Sequence, residues 1–238
     1  MHSTTRLQCR AAHSASRDGF TLVELLVVIG IIAILAGVAL GPITAGIQKA
    51  KQSAGVQESH AIGLALYSCA NDNQQLYPDT SNPAGNTGTG AAAPAHALLA
   101  GGYVTDPSIF YISTDTAASK YTGTIASAAS TIAVSNISWD FVGVTGGTGL
   151  SSTSLPYLPV LWSTLGTGGT VTGLATGPNA VITCTPATAN PFQTTGMVIF
   201  YENNSAAFVT AGPTGLVTMV TAPNNAGPAT GATVLSGQ

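Results

Sequence analysis

A single carboxylate, Glu24, stands near the front of the longest apolar stretch of this 238-residue sequence. Phe20-Thr21-Leu22-Val23 precede it and Leu25-Leu26-Val27-Val28 follow it. A charged side chain among apolar neighbours is costly inside a bilayer, and such residues usually have a partner. The alternative is a carboxylate solvated at the headgroup level near a helix N-terminus, where an acidic residue is favoured. The immediate neighbours of Glu24 leave both interpretations open.

Residue types that support catalysis or metal binding are sparse elsewhere. No lysine follows a glycine-rich loop, which excludes a P-loop, and neither Gly-x-Ser-x-Gly nor His-Glu-x-x-His occurs. His60 falls on a predicted helix and His96 in a predicted loop, and no cysteine or histidine lies at metal-ligand spacing. We expect both histidines to be solvated. We predict no catalytic residue, no metal site and no enzymatic activity.

The composition narrows the class of protein further. Charged residues make up only 6% of the chain, and its six basic residues cannot build a groove that neutralises nucleic-acid phosphates. Hydrophobic residues make up 45%, which excludes charge-driven disorder. We expect no nucleic-acid partner and no more than about two domains.

The element that must position Glu24 is a run of residues without any charge, Leu25 to Gln48. A helix rises about 1.5 Å per residue, so this run covers the ~30 Å bilayer core, which needs ~20 apolar residues. Arginines precede the run and an excess of acids follows it, although Lys49 and Lys51 close it. This distribution predicts one span with the N-terminus in the cytoplasm and the rest outside.

The string Asp-Gly-Phe-Thr-Leu-Val-Glu at 18–24, followed by Leu-Leu-Val-Val-Ile, resembles the prepilin cleavage and methylation signal of type IV pilins and type II secretion pseudopilins. The resemblance implies that a prepilin peptidase cuts between Gly19 and Phe20 and methylates the new amine of Phe20. It also implies that Glu24 meets the N-terminal ammonium of a neighbouring subunit as a filament assembles. Such pairing is physically favourable, because a fixed cation removes the unpaired charge of a carboxylate in lipid.

An ordinary secretory signal peptide is the rival interpretation. Gly37-Val38-Ala39 supplies small residues around a cleavage site, which would place the mature N-terminus near Leu40. The apolar core of such a peptide is about 7–15 residues long and has no acid at its front. The run here is longer and carries Glu24, so we favour the prepilin interpretation.

Small residues recur every four positions along the span, at Ala33, Gly37, Gly41 and Ala45. Such a stripe lets membrane helices approach closely, although glycine and alanine are common in membrane helices in any case. Pro42 next to Gly41 predicts a kink. Pilin-like proteins usually carry this proline one residue nearer to the cut.

The helical pattern continues beyond the membrane to about Ala70 and should stop around Asn71-Asp72-Asn73, which favour turns. Gly55 and Gly63 should each weaken this helix by roughly 1 kcal/mol. Residues 67–73 with Tyr77-Pro78 resemble the helix exit of pseudopilin-like proteins. We expect a head to cover an apolar stripe that comprises Ile43, Ile47, Ala50, Ala54, Ala61, Ala65 and Cys69.

The remainder of the chain has the pattern of antiparallel β-structure. Residues 80–95 read as a loop, and beyond Lys120 only Asp140 and Glu202 are charged. A two-residue Asn203-Asn204 turn would pair Ile199 with Phe208. Short apolar runs between turn residues predict strands at Ile137–Val144, Val160–Leu165, Ala180–Cys184 and Gly196–Tyr201.

Two cysteines remain once Cys9 leaves with the leader. Cys69 and Cys184 form an even pair in a compartment where disulfides form, so they are either bridged or packed as two buried thiols. No cofactor is predicted. Calcium, which some major pseudopilins bind, is a minor alternative. Four aspartates supply oxygen ligands, but they lack the dense spacing of a calcium-binding loop: Asp72, Asp79, Asp106 and Asp115.

These observations predict an α+β, pilin-like fold, in which a long N-terminal helix with a transmembrane first half packs on a C-terminal antiparallel β-sheet head. The expected segments are a leader (1–19), a hydrophobic transmembrane and assembly helix (20–46), an amphipathic continuation (47–72) and a periplasmic head rich in β-structure, Thr and Gly (73–238).

The predicted function is that of a structural filament subunit, first a type II secretion pseudopilin and second a type IV pilus subunit. A secreted or membrane-anchored surface-binding protein is the third alternative. The expected partners are prepilin peptidase, other pilin-like subunits and the inner membrane. The expected location is the bacterial inner membrane, as a single-pass protein, and then a periplasmic or extracellular filament.

Overall fold

The computed structural model describes residues 19–84, 86, 88–124, 131–144, 146–152, 157–166, 169–172, 181–188, 190–221 and 232–236. The helices in this part of the chain are α1 (Leu22–Asp72) and α2 (Ala92–Ala100), with short 3-10 helices at Pro107–Phe110, Val134–Asn136 and Gln193–Thr195. The strands are β1 (Trp139–Val144), β2 (Pro159–Ser163), β3 (Thr170–Thr172), β4 (Val181–Thr185), β5 (Gly196–Tyr201), β6 (Ala206–Thr210), β7 (Val217–Thr221) and β8 (Ala232–Leu235).

Helix α1 is 51 residues long and ends where the sequence predicts. Its last carbonyls are satisfied locally, because the Asn73 side chain donates to the Cys69 carbonyl at 2.8 Å and the Gln75 N–H donates to the Ala70 carbonyl at 2.7 Å. Gln74 and Gln75 both have a φ near +60°. This left-handed backbone is a common way for a chain to leave a helix, and it stops α1 at Asp72.

The chain divides into two compact units, Met1–Ile47 and Gln48–Gln238. In the first unit, the described side chains are exposed. Among the described residues, α1 is the one helix long and apolar enough to cross a membrane, and its most apolar 18-residue window has a mean hydropathy of 2.8 and no buried residue. A single long apolar helix of this kind fits a membrane anchor.

The second unit contains a five-stranded antiparallel sheet in the order β6-β5-β2-β1-β8 and a three-stranded antiparallel sheet in the order β3-β4-β7. The predicted runs at Ile137–Val144, Val160–Leu165 and Gly196–Tyr201 correspond to β1, β2 and β5. The run at Ala180–Cys184 corresponds to β4, although Ala180 itself lies outside the described residues. A long apolar N-terminal helix followed by this sheet confirms the predicted α+β, pilin-like architecture.

Strand β5 shows how the layers of the second unit pack. Val198 and Phe200 lie against Gly55 and Gly63 of α1. Met197, which directly precedes Val198, contacts Cys184 of β4 through the two sulfur atoms, at 2.9 Å. Because successive side chains of a strand point to opposite faces, the five-stranded sheet has α1 on one face and the smaller sheet on the other. This burial on both faces accounts for the uninterrupted apolar run of β5.

The buried face of α1 differs from the predicted one. Ala50, Ala54 and Ala61 are exposed, and only Ala65 and Cys69 of the predicted stripe beyond Ile47 are buried. The face that packs on the head comprises Gly55, Ser59, Ile62, Gly63, Ala65, Leu66, Cys69 and Ala70. The prediction of the helical face was wrong because the rings of Phe192 and Phe200 lie against Gly55 and Gly63. At these two positions of α1 a side chain would not fit.

Two local predictions in the head also require correction. Residues 92–95 belong to α2 rather than to a loop, and Ala92–Leu99 are all buried. The β5–β6 hairpin is present, but Val198 rather than Ile199 faces Phe208. The loop has three residues, 202–204, because the Tyr201 N–H donates to the Ser205 carbonyl and only Asn204 has a positive φ, +64°. A two-residue type I′ turn needs positive φ at both central residues.

Glu58 on α1 should make the stability of the head depend on pH. Burial raises the pKa of its carboxyl from 4.5 to about 7, and Oε2 is buried without a hydrogen-bond partner among the described residues. Between pH 4.5 and about pH 7 the unfolded chain has released this proton whereas the folded chain still holds it. The free energy of unfolding therefore falls as pH rises through this range. Allowing for its partial exposure, we expect Glu58→Gln to stabilise the protein by about 1–2 kcal/mol above pH 7.

The Glu58→Gln prediction is measured by denaturant unfolding of the full chain in detergent across this pH range. Below pH 4.5 the variant and the wild type should have the same stability, because both side chains are then neutral. A variant whose stability falls with pH as steeply as that of the wild type would contradict this assignment.

Candidate processing and assembly site

The N-terminus of α1 holds Glu24 in a capping box with Thr21. The Thr21 N–H donates to Glu24 Oε2 at 2.9 Å, and the Glu24 N–H donates to Thr21 Oγ1 at 3.2 Å. The Thr21 hydroxyl also donates to Oε2, at 2.8 Å. Thr21 is therefore the N-cap and Glu24 the N3 residue, an arrangement in which two otherwise unpaired N–H groups are satisfied reciprocally. The capping box fixes the carboxylate but adds no positive charge to it.

The pair Gly19-Phe20, where cleavage is predicted, lies immediately before this cap. Both residues are exposed, Phe20 to 76%, and among the described residues other than its chain neighbours no heavy atom lies within 4 Å of the position that a Cβ on Gly19 would take. The predicted leader up to residue 18 lies outside the described residues. Cleavage and methylation at this bond remain predictions. The exposure of Gly19 and Phe20 leaves the bond accessible to a peptidase.

The predicted packing and kink residues lie in the apolar part of α1. A Cβ added to Gly37 or Gly41 would meet no heavy atom of another element within 4 Å, so both glycines present bare backbone. The helix runs on through Pro42. Thr44 donates its hydroxyl to the carbonyls of Gly41 at 2.9 Å and Leu40 at 3.2 Å. Such a bond from a threonine hydroxyl to the preceding turn is common in helices. The roles of Gly37, Gly41 and Pro42 in packing and kinking remain predictions.

Cys69 and Cys184 are free thiols in the structure, and both are buried. Asn73 Nδ2 lies 3.5 Å from Cys69 Sγ, whereas Cys184 Sγ contacts the sulfur of Met197. Burial is the main cause that raises the pKa of Cys69 to about 11 and that of Cys184 to about 12, so both thiols stay protonated and unreactive. The predicted bridge is therefore not present, and the structure matches the second alternative, two buried thiols packed as small hydrophobes.

The four aspartates considered as calcium ligands are each engaged separately. Asp79 Oδ2 accepts from the Val144 N–H at 2.7 Å, and Asp106 accepts from the N–H and hydroxyl of Ser108. Asp115 accepts from two backbone N–H groups, and Asp72 accepts from the Tyr103 hydroxyl. Across the described residues, no group of three or more histidines, cysteines and acids is arranged to hold a metal ion.

His96 corrects another prediction, because it is 8% exposed rather than solvated. It lies on α2, and its Nε2 is 2.9 Å from the Ile132 carbonyl. A carbonyl only accepts, so Nε2 carries the proton, and this bond ties α2 to the segment before β1. His60 packs its ring edge-on against Phe200, with centroids 5.9 Å apart. Both histidines thus have packing roles.

Two features of this region were not predicted from the sequence. The capping box was visible as Thr-x-x-Glu directly before an apolar run, which is the usual signal for a helix N-terminus. The turn from Asn190 to Thr195 gave no such signal. Its Phe192 is 7% exposed and packs against Gly55 and Phe208, which places this turn beside the start of the second unit's helix.

Comparison with known proteins bears on the N-terminal segment alone. No curated protein and no solved structure matches the chain. Residues 15–40 match the family model described as the prokaryotic N-terminal methylation motif. The motif implies processing by prepilin peptidase and pilin-like assembly, and the proteins of this type are structural rather than enzymatic. The match, which contains Gly19, Phe20 and Glu24, identifies residues 15–40 as a type IV pilin-like prepilin signal.

Proposed function

We propose that the chain is a pseudopilin of a type II secretion system, cut between Gly19 and Phe20 and polymerised through α1 to drive protein export. The observation that carries the proposal is the methylation motif placed directly on a membrane-length helix whose N3 residue is Glu24. The motif itself supports the coarser statement, a type IV pilin-like or pseudopilin subunit. The resemblance of residues 67–78 to the helix exit of pseudopilin-like proteins favours the secretion system.

The nearly uncharged head is compatible with a homopolymer. Beyond Lys120 the charged residues are Asp140, which is 1% exposed, and Glu202. Identical heads stacked side by side repel one another less when their surfaces carry little charge. Arginines before the span favour an orientation with the N-terminus in the cytoplasm and the head in the periplasm.

Deletion of the gene separates the two filament systems. A pseudopilin is required for export, so the deletion strain should retain exoproteins in the periplasm while surface pili and motility persist. Complementation with the intact gene should restore export. Loss of surface pili with normal export would instead support the pilus subunit, and export and pili that both stay normal would favour the anchored surface-binding protein.

Substitution at Gly19 tests the processing site. We expect Gly19→Leu to keep its leader and run about 2 kDa heavier on a gel, because a bulky residue blocks the peptidase at the scissile bond. The matched variant Ala39→Leu alters the rival cleavage site and should be processed normally, with a methylated Phe20 as its first residue in mass spectrometry. A mature chain that begins near Leu40 and is lost in Ala39→Leu would overturn the prepilin assignment.

A further inference from the structure

A cleft of about 210 Å³ lies in the second unit, where the chain has just left the apolar run. Gln48, Lys51 and Gln52 of α1 form one wall, and Gln193 and Thr195 line it together with Thr114, Pro191 and Phe192. We propose that this cleft binds the phosphate of an anionic phospholipid headgroup while the subunit is anchored in the membrane. The proposal rests on the membrane-anchor part of the proposed function.

The groups that line the cleft are suited to an anion. Lys51 supplies an ammonium group, and Gln48, Gln52 and Gln193 supply amide N–H donors. None of the eight lining residues is acidic, although the chain from Phe20 onward contains eight acids and only three lysines. Asp115, next to Thr114 in the chain, does not line the cleft; its Oδ1 accepts from the N–H groups of Ala117 and Ala118, and its Oδ2 is buried without a hydrogen-bond partner among the described residues. The lining of the cleft thus combines one ammonium group with several N–H donors and contains no acid.

The head side of the cleft is held in place before any ligand binds. Phe192, at its floor, packs edge-on against Phe208 with ring centroids 5.4 Å apart, and its N–H donates to Asn190 Oδ1 at 2.7 Å. The Thr195 hydroxyl donates to the Phe192 carbonyl at 2.6 Å, and the Ala211 N–H donates to the Thr195 carbonyl at 3.0 Å. A preformed turn lowers the entropy cost of binding.

Thr114 supplies an independent sign that a polar group belongs here. Its Oγ1 is buried and has no hydrogen-bond partner among the described residues. An unsatisfied buried hydroxyl is costly, and an oxygen of a bound group in the adjoining cleft would relieve that cost with a small adjustment of the side chain. The cleft volume suits one headgroup rather than a drug-sized molecule, whose sites are about 300–1,000 Å³.

The position of the cleft along the chain favours a lipid as its ligand. The uncharged run ends at Gln48, and Lys51 is the fourth residue of α1 counted from there. One turn of helix rises about 5.4 Å, so these residues leave the hydrocarbon core at the depth of the phosphates. A lysine at this depth is attracted by its charge to anionic headgroups in the leaflet that surrounds it.

Native mass spectrometry of the mature full chain, released from nanodiscs with equal amounts of phosphatidylglycerol and phosphatidylcholine, tests the proposal. We expect about a fivefold preference for phosphatidylglycerol, as one lysine near an anionic surface would give. Lys51→Gln should abolish this preference, and Gln193→Gly, which suits the φ of +55° at that position, should weaken it. Lys49→Gln removes the same charge outside the cleft and should retain it.

The other outcomes each contradict a defined part of the proposal. An equal loss in Lys49→Gln and Lys51→Gln would mean general surface attraction, and removal of the lipid adduct by inorganic phosphate would mean a site for free anions. A chain that stays with the nanodisc but shows no lipid preference overturns the cleft alone. A chain that does not enter the nanodisc overturns the membrane anchor and the cleft together.

Discussion

Glu24→Gln should be inserted and processed like the wild-type chain but form no filaments. Glutamine at N3 keeps the hydrogen bond that Glu24 Oε2 accepts from the Thr21 N–H, so the helix start is preserved. The variant lacks only the negative charge. The methylated ammonium of a neighbouring Phe20 would then be unpaired in lipid, where a single charge costs about 2.5–3.5 kcal/mol on insertion scales, at every subunit contact.

Electron microscopy and the yield of sheared filaments measure this loss, and Thr21→Val is the matched control. Valine removes the hydroxyl that accepts from the Glu24 N–H at 3.2 Å and leaves the carboxylate charged. Loss of the cap costs about 0.5–2 kcal/mol in helix stability. Filaments should still form from Thr21→Val. Wild-type filament levels from Glu24→Gln would show that the charge is not required, and loss of filaments only in Thr21→Val would show that the cap is required instead.

Gly63→Ala should destabilise the head by about 1–3 kcal/mol, although alanine is the better helix former by about 1 kcal/mol. A Cβ at position 63 would overlap the ring of Phe200, which is 3% exposed and lies between α1 and the five-stranded sheet. Overpacking of this kind forces a side chain off its rotamer or moves the backbone. Denaturant unfolding of the full chain in detergent gives the change in the free energy of unfolding.

Two further variants separate overpacking from a general effect of the substitution. Gly46→Ala lies on the same helix, where the new Cβ would meet no described atom within 4 Å apart from the neighbouring backbone, and it should be neutral or slightly stabilising. Phe200→Leu opens space opposite position 63, so Gly63→Ala should cost less in that background, with a coupling of about 0.5–3 kcal/mol. A Gly63→Ala protein as stable as the wild type would contradict the close packing assigned to this glycine.

The same glycine shows where inference from local sequence fails. At sequence level Gly55 and Gly63 only weaken a helix, and their alanine neighbours form the more apolar stripe. The rings that occupy the space beside these glycines belong to Phe192 and Phe200, more than 130 residues later in the chain. No periodicity within α1 contains that information. His96 and the free thiols of Cys69 and Cys184 are similar cases, because their surroundings come from distant segments.

The amino-acid sequence by itself determined the prepilin signal, the membrane-length helix and its end near Asp72, and the strands β1, β2, β4 and β5. These features arise from spacing and chemistry within about fifty consecutive residues or fewer, so local rules suffice for them. Only the tertiary structure decided which face of α1 is buried, the register of the β5–β6 hairpin and the cleft beside Lys51. Each of these depends on which distant side chains meet, and the packing of two surfaces cannot be read from the periodicity of one.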